Sequence, residues 1–212
     1  MNIEAFEQLP LMAILRGIEP KHVESLAKIF IACELPAVEI TMNTNDVAAL
    51  IREMKYYAKG KFSVGAGTVL TFRDLDKAIA SGASYIVMPT LQIDVIRVCA
   101  SQNIPVFPGA FTPTEIYKAW ELGATMVKVF PSSVLGPKYF SEIKAPMNDI
   151  KLMACGGVSV STIGDYFNAG ASAAAFGASI VKKEWLDTEN YDAIEVELKT
   201  LVDAYKSLNV SA

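Results

Sequence analysis

Two ionisable side chains stand where a sequence ordinarily keeps apolar ones. Lys128 sits inside "TMVKVFPSS" (125–133), flanked by Met126, Val127, Val129 and Phe130. Burying its ammonium costs free energy, because hydration is lost and no partner is guaranteed. Glu39 occupies the same kind of setting in "AVEIT" (37–41). If both runs are strands, side chains alternate between faces. Val127 and Val129 then face one way, and Lys128 faces the other with Met126 and Phe130. By the same rule Val38 and Ile40 face outward and Glu39 inward. An amine and a carboxylate sharing an apolar interior suit amine catalysis. Desolvation lowers a lysine pKa from ~10.4 toward ~7–8, leaving a fraction as the neutral nucleophile. That amine condenses with a ketone to a Schiff base, whose iminium draws electrons from the neighbouring carbon–carbon bond. The carboxylate shuttles protons at the carbinolamine and hydroxyl stages. For either residue alone, a structural ion pair or a lysine tip reaching solvent is the competing explanation.

The elements that must position this pair follow from the pattern of the chain. Short apolar runs at 11–15, 37–41, 62–67, 85–89, 105–109, 126–130, 151–155 and 173–176 alternate with amphipathic segments. Those segments, at 20–34, 45–58, 71–82, 92–102, 113–122, 137–145 and 159–169, read as helices, followed by a last long helix at about 188–207. "TFRD" (71–74) and "TPTE" (112–115) have the form of capping boxes. Eight strand–helix units without a Gly-rich dinucleotide fingerprint predict an α/β fold, a (β/α)8 TIM barrel. The expectation is one domain over residues 1–212, with an N-terminal helix ahead of the first strand. At 212 residues the chain is short for a class where ~250 is typical, so its loops must be short. Lys128 and Glu39 both lie toward the C-terminal ends of their strands, where barrel active sites assemble. That placement favours a functional pair. In "FSVGAGT" the outward set is Phe62, Val64 and Ala66, so Gly65 and Gly67 face inward and leave room for long neighbours.

An anion site is expected at the same end. Strand 7 ends in "ACGGVS" (154–159) and strand 8 in "AFGAS" (175–179), each read as delivering glycine directly before a helix start. Loops after the last two strands commonly bind phosphate through backbone N–H groups, which nominates Gly156, Gly157, Gly177 and Ser179. Arg16, ending strand 1 in "ILRG", offers a planar cation for either a phosphate or a carboxylate. Thr68 follows strand 3 with a hydroxyl and an N–H. Pro89, Pro108 and Pro131 terminate strands, and Pro89 and Phe130 would pack on a bound substrate.

Composition narrows the classes. The chain is 52% hydrophobic and 20% charged, enough to build a core without staples. A net charge of −4 with no basic run argues against a nucleic-acid partner. His22 is the only histidine, so sites needing two are excluded, and neither a metal nor a cofactor is expected. Three scattered cysteines, Cys33, Cys99 and Cys155, read as reduced thiols of a cytoplasmic protein. "MNIEAFEQLP" lacks the start of a signal peptide, and no apolar run approaches the ~20 residues of a membrane span.

From "AILRGIEP" to "FGASIV" the chain resembles the 2-keto-3-deoxy-6-phosphogluconate aldolase family, through "VEIT", "VGAGTVL", "KVFPSS" and "CGGVS". The resemblance implies a class I aldolase acting on phosphorylated keto-deoxy sugar acids, without cofactor. It implies a pyruvate Schiff base on Lys128, proton transfer through Glu39, carboxylate binding near Thr68, and phosphate binding by Gly156, Gly157, Gly177 and Ser179. It also implies a homotrimer. Two positions depart from many members: Asn43 replaces an arginine that grips the pyruvate carboxylate, and Cys155 replaces a threonine. "EITMNTND" is similar to the 6-phosphogalactonate branch, whereas Thr41 is similar to the gluconate branch, so the epimer stays open. Arg16 is the candidate to compensate for Asn43. The runner-up readings are a metal-independent isomerase or decarboxylase of another phosphorylated metabolite, or a 4-hydroxy-2-oxoglutarate aldolase.

Overall fold

The structure is a computed structural model, and it describes residues 1–208. The strands are β1 (Leu11–Leu15), β2 (Ala37–Thr41), β3 (Ser63–Gly67), β4 (Ile86–Val87), β5 (Val106–Phe107), β6 (Gly109–Ala110), β7 (Val127–Val129), β8 (Leu152–Cys155) and β9 (Ala173–Phe176). They pair in the order β5-β4-β3-β2-β1-β9-β8-β7-β6, and every pairing is parallel. β5 and β6 form one stave divided at Pro108, which has no N–H to give to a ladder. β5 bonds to β4 on one side, and β6 bonds to β7 on the other. The Lys128 N–H donates to the Pro108 carbonyl and the Thr125 N–H to that of Val106, closing the ring. The result is the expected (β/α)8 barrel of eight staves.

Helices follow the staves: α2 (Val23–Ala32), entered through a 3-10 turn at 20–22, α3 (Val47–Ala58), α4 (Phe72–Ala80), α5 (Ile93–Ser101), α6 (Pro113–Glu121), α7 (Ser132–Leu135) with α8 (Pro137–Lys144), α9 (Ile163–Asn168), and α10 (Lys183–Asp187) with α11 (Tyr191–Leu208). Thr71 with Asp74 and Thr112 with Glu115 form complete capping boxes, as their spacing predicts. α9 starts four residues later than the periodicity suggests. Thr162 Oγ1 donates to the Gly157 carbonyl and accepts from the Ser159 N–H, so a side chain competes with the helix over that first turn.

Strand alternation separates two apolar layers. Val38, Ile40, Val64, Ala66, Val127 and Val129 pack outward against the helices. Met12, Ala37, Tyr85, Val87, Phe107, Met126, Met153 and Cys155 fill the barrel interior, with Phe6 added from α1 (Ile3–Gln8). The Met1 ammonium donates to the Ser84 carbonyl and Glu7 pairs with Lys151, so α1 lies across the N-terminal ends of the strands. Phe6 meets Phe107 edge-on at 6.0 Å and plugs that end. Only the opposite end of the barrel is left to admit a small molecule. Among the described residues no helix is long and apolar enough to cross a membrane.

Candidate active site

Glu39 and Lys128 reach the barrel interior from β2 and β7, and are only 1% and 5% exposed. Two glycines on β3 make this possible. Gly65 lies in register with Glu39, and Gly67 with Thr41. A Cβ on Gly67 would stand 2.5 Å from Glu39 Oε1, and one on Gly65 would collide with the Tyr85 ring. The inner face of β3 is therefore a shelf, with the Glu39 carboxyl over one missing side chain and the Tyr85 phenol over the other. Lys128 lies beside Gly109 and Met153 in register. Its Nζ sits 5.3 Å from the Phe130 ring centroid, a cation–π contact.

Burial pushes the Glu39 pKa up, against the opposing pull of Lys128 and Arg16. Glu39 Oε2 is buried without a hydrogen-bond partner among the described residues, so it is a carboxylate with unused basicity. Desolvation is the largest influence on Lys128 and lowers its pKa, whereas Cys155 and then Glu39 raise it, to a net rise. The lift from Cys155 requires a thiolate. Burial pushes the Cys155 thiol up in its own right, so near neutral pH it is uncharged and the lift is absent. The direction we assign to Lys128 in the neutral-thiol state is therefore downward, by desolvation, which is what a nucleophilic amine needs.

Above this pair the mouth opens into a cavity of about 670 Å³, walled by Arg16, Phe130, Cys155, Gly156, Gly157 and Ser179 among others. The backbone N–H groups of Gly156, Gly157, Val158, Gly177, Ala178 and Ser179 donate to no acceptor among the described residues. Gly156 and Gly157 take φ of +93° and +78°, which L side chains rarely adopt. The cradle differs from the expected one in origin. α9 begins only at Ile163 and α10 at Lys183, so the donors come from turns, and the helix dipole contributes little. Ser179 Oγ donates to the Val158 carbonyl at 2.6 Å. Its hydroxyl proton stitches the two loops together, leaving its N–H for an anion.

Arg16 lines this cavity, and among the described residues no carboxylate pairs with it. Its charge acts on both Glu39 and Lys128, so it serves the space between the amine and the cradle. The next residue, Gly17, donates its N–H to Thr44 Oγ1 at 3.0 Å, and Thr44 bonds Thr41 Oγ1 at 3.1 Å, tying the Arg16 loop to the end of β2. Ser132 makes the matching tie on the far side: its Oγ donates to the Val129 carbonyl and accepts the Cys155 N–H.

Not every nominated residue joins the group. Thr68 stands just past β3 with φ +56°, a costly conformation for a β-branched residue and typical of functional sites. Pro89 lines a second cavity of about 460 Å³, which shares Phe130 with the first. Asn43 is exposed and lines neither cavity. Sequence reasoning missed Tyr85, Ser132 and Thr44. Tyr85 was legible, because it begins the strand run beside the glycine shelf. The two hydroxyl ties depend on loop geometry that no periodicity encodes.

Comparison with known proteins identifies the family of the chain. The sequence model of the family "KDPG and KHG aldolase" matches residues 3–196. The chain is 36% identical over 174 residues to a probable 2-dehydro-3-deoxy-6-phosphogalactonate aldolase of Rhizobium meliloti (strain 1021), covering 82% of each chain. It is 28% identical over 205 residues to the 2-dehydro-3-deoxy-phosphogluconate aldolase of Haemophilus influenzae, covering 96% of each. A solved structure described as native KDPGal superposes with a TM-score of 0.89 at 32% identity, over 97% of this chain and 98% of the other. With a family match along nearly the whole chain and an amine–carboxylate pair buried in its barrel, this chain belongs to the KDPG and KHG aldolase family of lyases.

Proposed function

We propose that the protein is a class I aldolase that cleaves a 2-keto-3-deoxy-6-phospho sugar acid to pyruvate and glyceraldehyde 3-phosphate. The observation that carries this is the burial of Lys128 and Glu39 together beneath a cradle of unused N–H groups. The Lys128 amine adds to the keto carbon, and loss of water gives the iminium. Glu39 takes the proton of the C4 hydroxyl, the C3–C4 bond breaks, and its electron pair moves toward the iminium as an enamine. Glyceraldehyde 3-phosphate departs, C3 is reprotonated, and water releases pyruvate and the free amine. We assign the three-carbon end to Thr68, Pro89 and Phe130, of which Phe130 lines both cavities and Pro89 the second, and the phosphate to the 156–158 and 177–179 turns with Arg16. Asn43 is exposed and lines neither cavity, so Arg16 is the residue proposed to take the place of the family's arginine.

Relatives at 36% and 35% identity carry the galactonate name and one at 28% the gluconate name, so the 6-phosphogalactonate epimer is the first to assay. The chain is proposed to act as one barrel domain in the cytoplasm, and as a homotrimer. Exposed Leu70, Phe72, Ile93, Phe111 and Val134 follow four consecutive staves at the mouth, an apolar rim that suits a subunit contact. Sedimentation equilibrium reads that state, and a monomer at micromolar concentration would remove it. The decisive experiment for the chemistry is borohydride reduction with pyruvate. One reduced adduct on Lys128 is expected, and an adduct elsewhere or none refutes the imine.

A further inference from the structure

The barrel interior holds a phenol that the aldolase chemistry above does not use. Tyr85 is fully buried, and its hydroxyl has no hydrogen-bond partner among the described residues. The other side-chain atom in that condition is Glu39 Oε2. The two share one setting. The Tyr85 ring, including the carbon that bears its hydroxyl, occupies the space of the side chain absent at Gly65, and the Glu39 carboxyl occupies that absent at Gly67. These glycines are two residues apart on β3, so the shelf places the groups about 7 Å apart along the strand at its backbone. The two groups are near enough for Glu39 to act on the phenol but do not hydrogen-bond each other directly, so a bond between them runs across one water. Phenylalanine would fill the same volume and meet Phe107 edge-on, as the Tyr85 ring does at 5.7 Å, without burying a hydroxyl. A buried polar atom that packing does not require calls for a partner.

We propose that the Tyr85 hydroxyl donates a hydrogen bond to the Glu39 carboxylate across one water, and thereby fixes that carboxylate for proton transfer. Tyr85 is then a positioning residue. The charge logic agrees: burial and the neighbouring Glu39 push the phenol well above its ordinary value, so it stays a donor throughout the working range. The other ionisable groups acting on Glu39 are Lys128 from β7 and Arg16 from the loop after β1, while Cys155 from β8 is affected by Glu39 in turn. Of these, Lys128 and Arg16 also hold the substrate, which leaves Tyr85 as the donor free to hold the carboxylate through the whole cycle.

The role rests on the proposed aldolase chemistry, but part of its test does not. In Tyr85→Phe the ring and its edge-on contact with Phe107 remain, and an unchanged melting temperature checks the fold. Carbon-13 NMR titration of the Glu39 carboxyl in wild type and variant reads the bond itself. Loss of a donor to the charged form should raise the Glu39 pKa by about one unit. The consequence is read as exchange of deuterium from solvent into the pyruvate methyl group, together with kcat. Both should fall roughly 10- to 100-fold, as for loss of a hydrogen bond to a charged group, with the acidic limb moved to higher pH. Borohydride trapping on Lys128 and KM should stay unchanged. An unmoved Glu39 titration overturns the bond. A moved titration with unchanged exchange overturns the positioning role, and so does a fall in exchange that tracks only a lowered melting temperature. If wild type traps no pyruvate, the aldolase reading fails on its own, and the titration still decides the bond.

Discussion

Replacing Gly67 by alanine tests how tightly the barrel holds its proton-transfer group. Gly67 adopts no left-handed φ, so an alanine fits the backbone and even restricts the unfolded chain, a gain of about 0.4–1 kcal/mol. The new methyl would lie 2.5 Å from Glu39 Oε1 and 2.7 Å from its Cδ, where real Cβ contacts start near 3.0 Å and become ordinary at 3.4 Å. The carboxyl must therefore retreat by 0.5 to 0.9 Å, the difference of those limits from 2.5 Å. Glu39 is 1% exposed, so its carboxyl moves within the interior, toward the mouth, and leaves its place over Gly67. A shift of about 1 Å at a catalytic group costs up to ~100-fold in rate, so kcat should fall roughly 10- to 100-fold. Overpacking of about 1–3 kcal/mol is partly offset by the backbone gain, leaving the fold intact. Pyruvate release coupled to NADH oxidation by lactate dehydrogenase measures kcat, and borohydride trapping checks that Lys128 still forms its adduct. Gly164→Ala, whose Cβ would meet only Leu208 at 3.5 Å, serves as the control. If kcat in Gly67→Ala stays within about twofold of wild type, while a methyl at that distance should cost far more, the position of Glu39 does not limit the reaction and the shelf argument is wrong.

Three further predictions concern the anion end and the cost of the site. Gly177 has no positive φ, and a Cβ there meets only the Ile14 carbonyl at 3.4 Å and its Cβ at 3.6 Å, so Gly177→Ala should raise KM for the phosphorylated substrate while pyruvate exchange continues at the wild-type rate. Arg16→Ala should do the same; an equal loss with pyruvate alone would place Arg16 on the carboxylate. Burial raises the Glu39 pKa in the folded state, so ionising it costs stability as pH rises from the unfolded value of 4.5 through the folded one. Glu39→Gln should therefore melt higher than wild type at pH 7, with the gap closing as pH falls toward 4.5; a gap that is absent or reversed refutes that sign.

The fold and the inward burial of Lys128 and Glu39 were legible for the same reason. A period of two is rigid: once Val127 and Val129 are outside, Lys128 is inside, and no loop detail alters it. The glycine shelf followed from that rule, because Gly65 and Gly67 share a face with nothing to fill it. The anion cradle was legible by position but not by origin. "GGVS" looks like a helix start, yet the Thr162 and Ser159 hydroxyls hold the chain in turns until Ile163. Asn43 belonged to the nominated set through the family pattern alone, and its exposure reflects a loop whose course is set by the Thr41–Thr44–Gly17 bonds. Those bonds link residues up to 27 positions apart, a separation that periodicity does not report.

The distribution of side-chain size along the barrel axis connects stability to function. Toward the N-terminal end the interior is packed with Phe6, Met12, Tyr85, Phe107, Met126 and Met153, all fully buried. Such a layer excludes water and supplies the burial that stabilises a short barrel. Toward the C-terminal end the inward positions turn small, with Gly67 beside Glu39 and Ala175 at the cavity wall. Missing volume there costs stability that a purely structural barrel would recover with larger side chains. The same missing volume lets Glu39 bend over β3 and leaves the cavity above Cys155 open to an anion. The packed layer beneath keeps water from reaching the amine from below, and without that dry floor Lys128 would keep the ordinary basicity of a solvated ammonium. The plug and the site are thus one construction: Phe6 and Phe107 make the low-dielectric floor, and Gly67 on β3 makes the room above it in which the Glu39 carboxyl lies beside a desolvated amine.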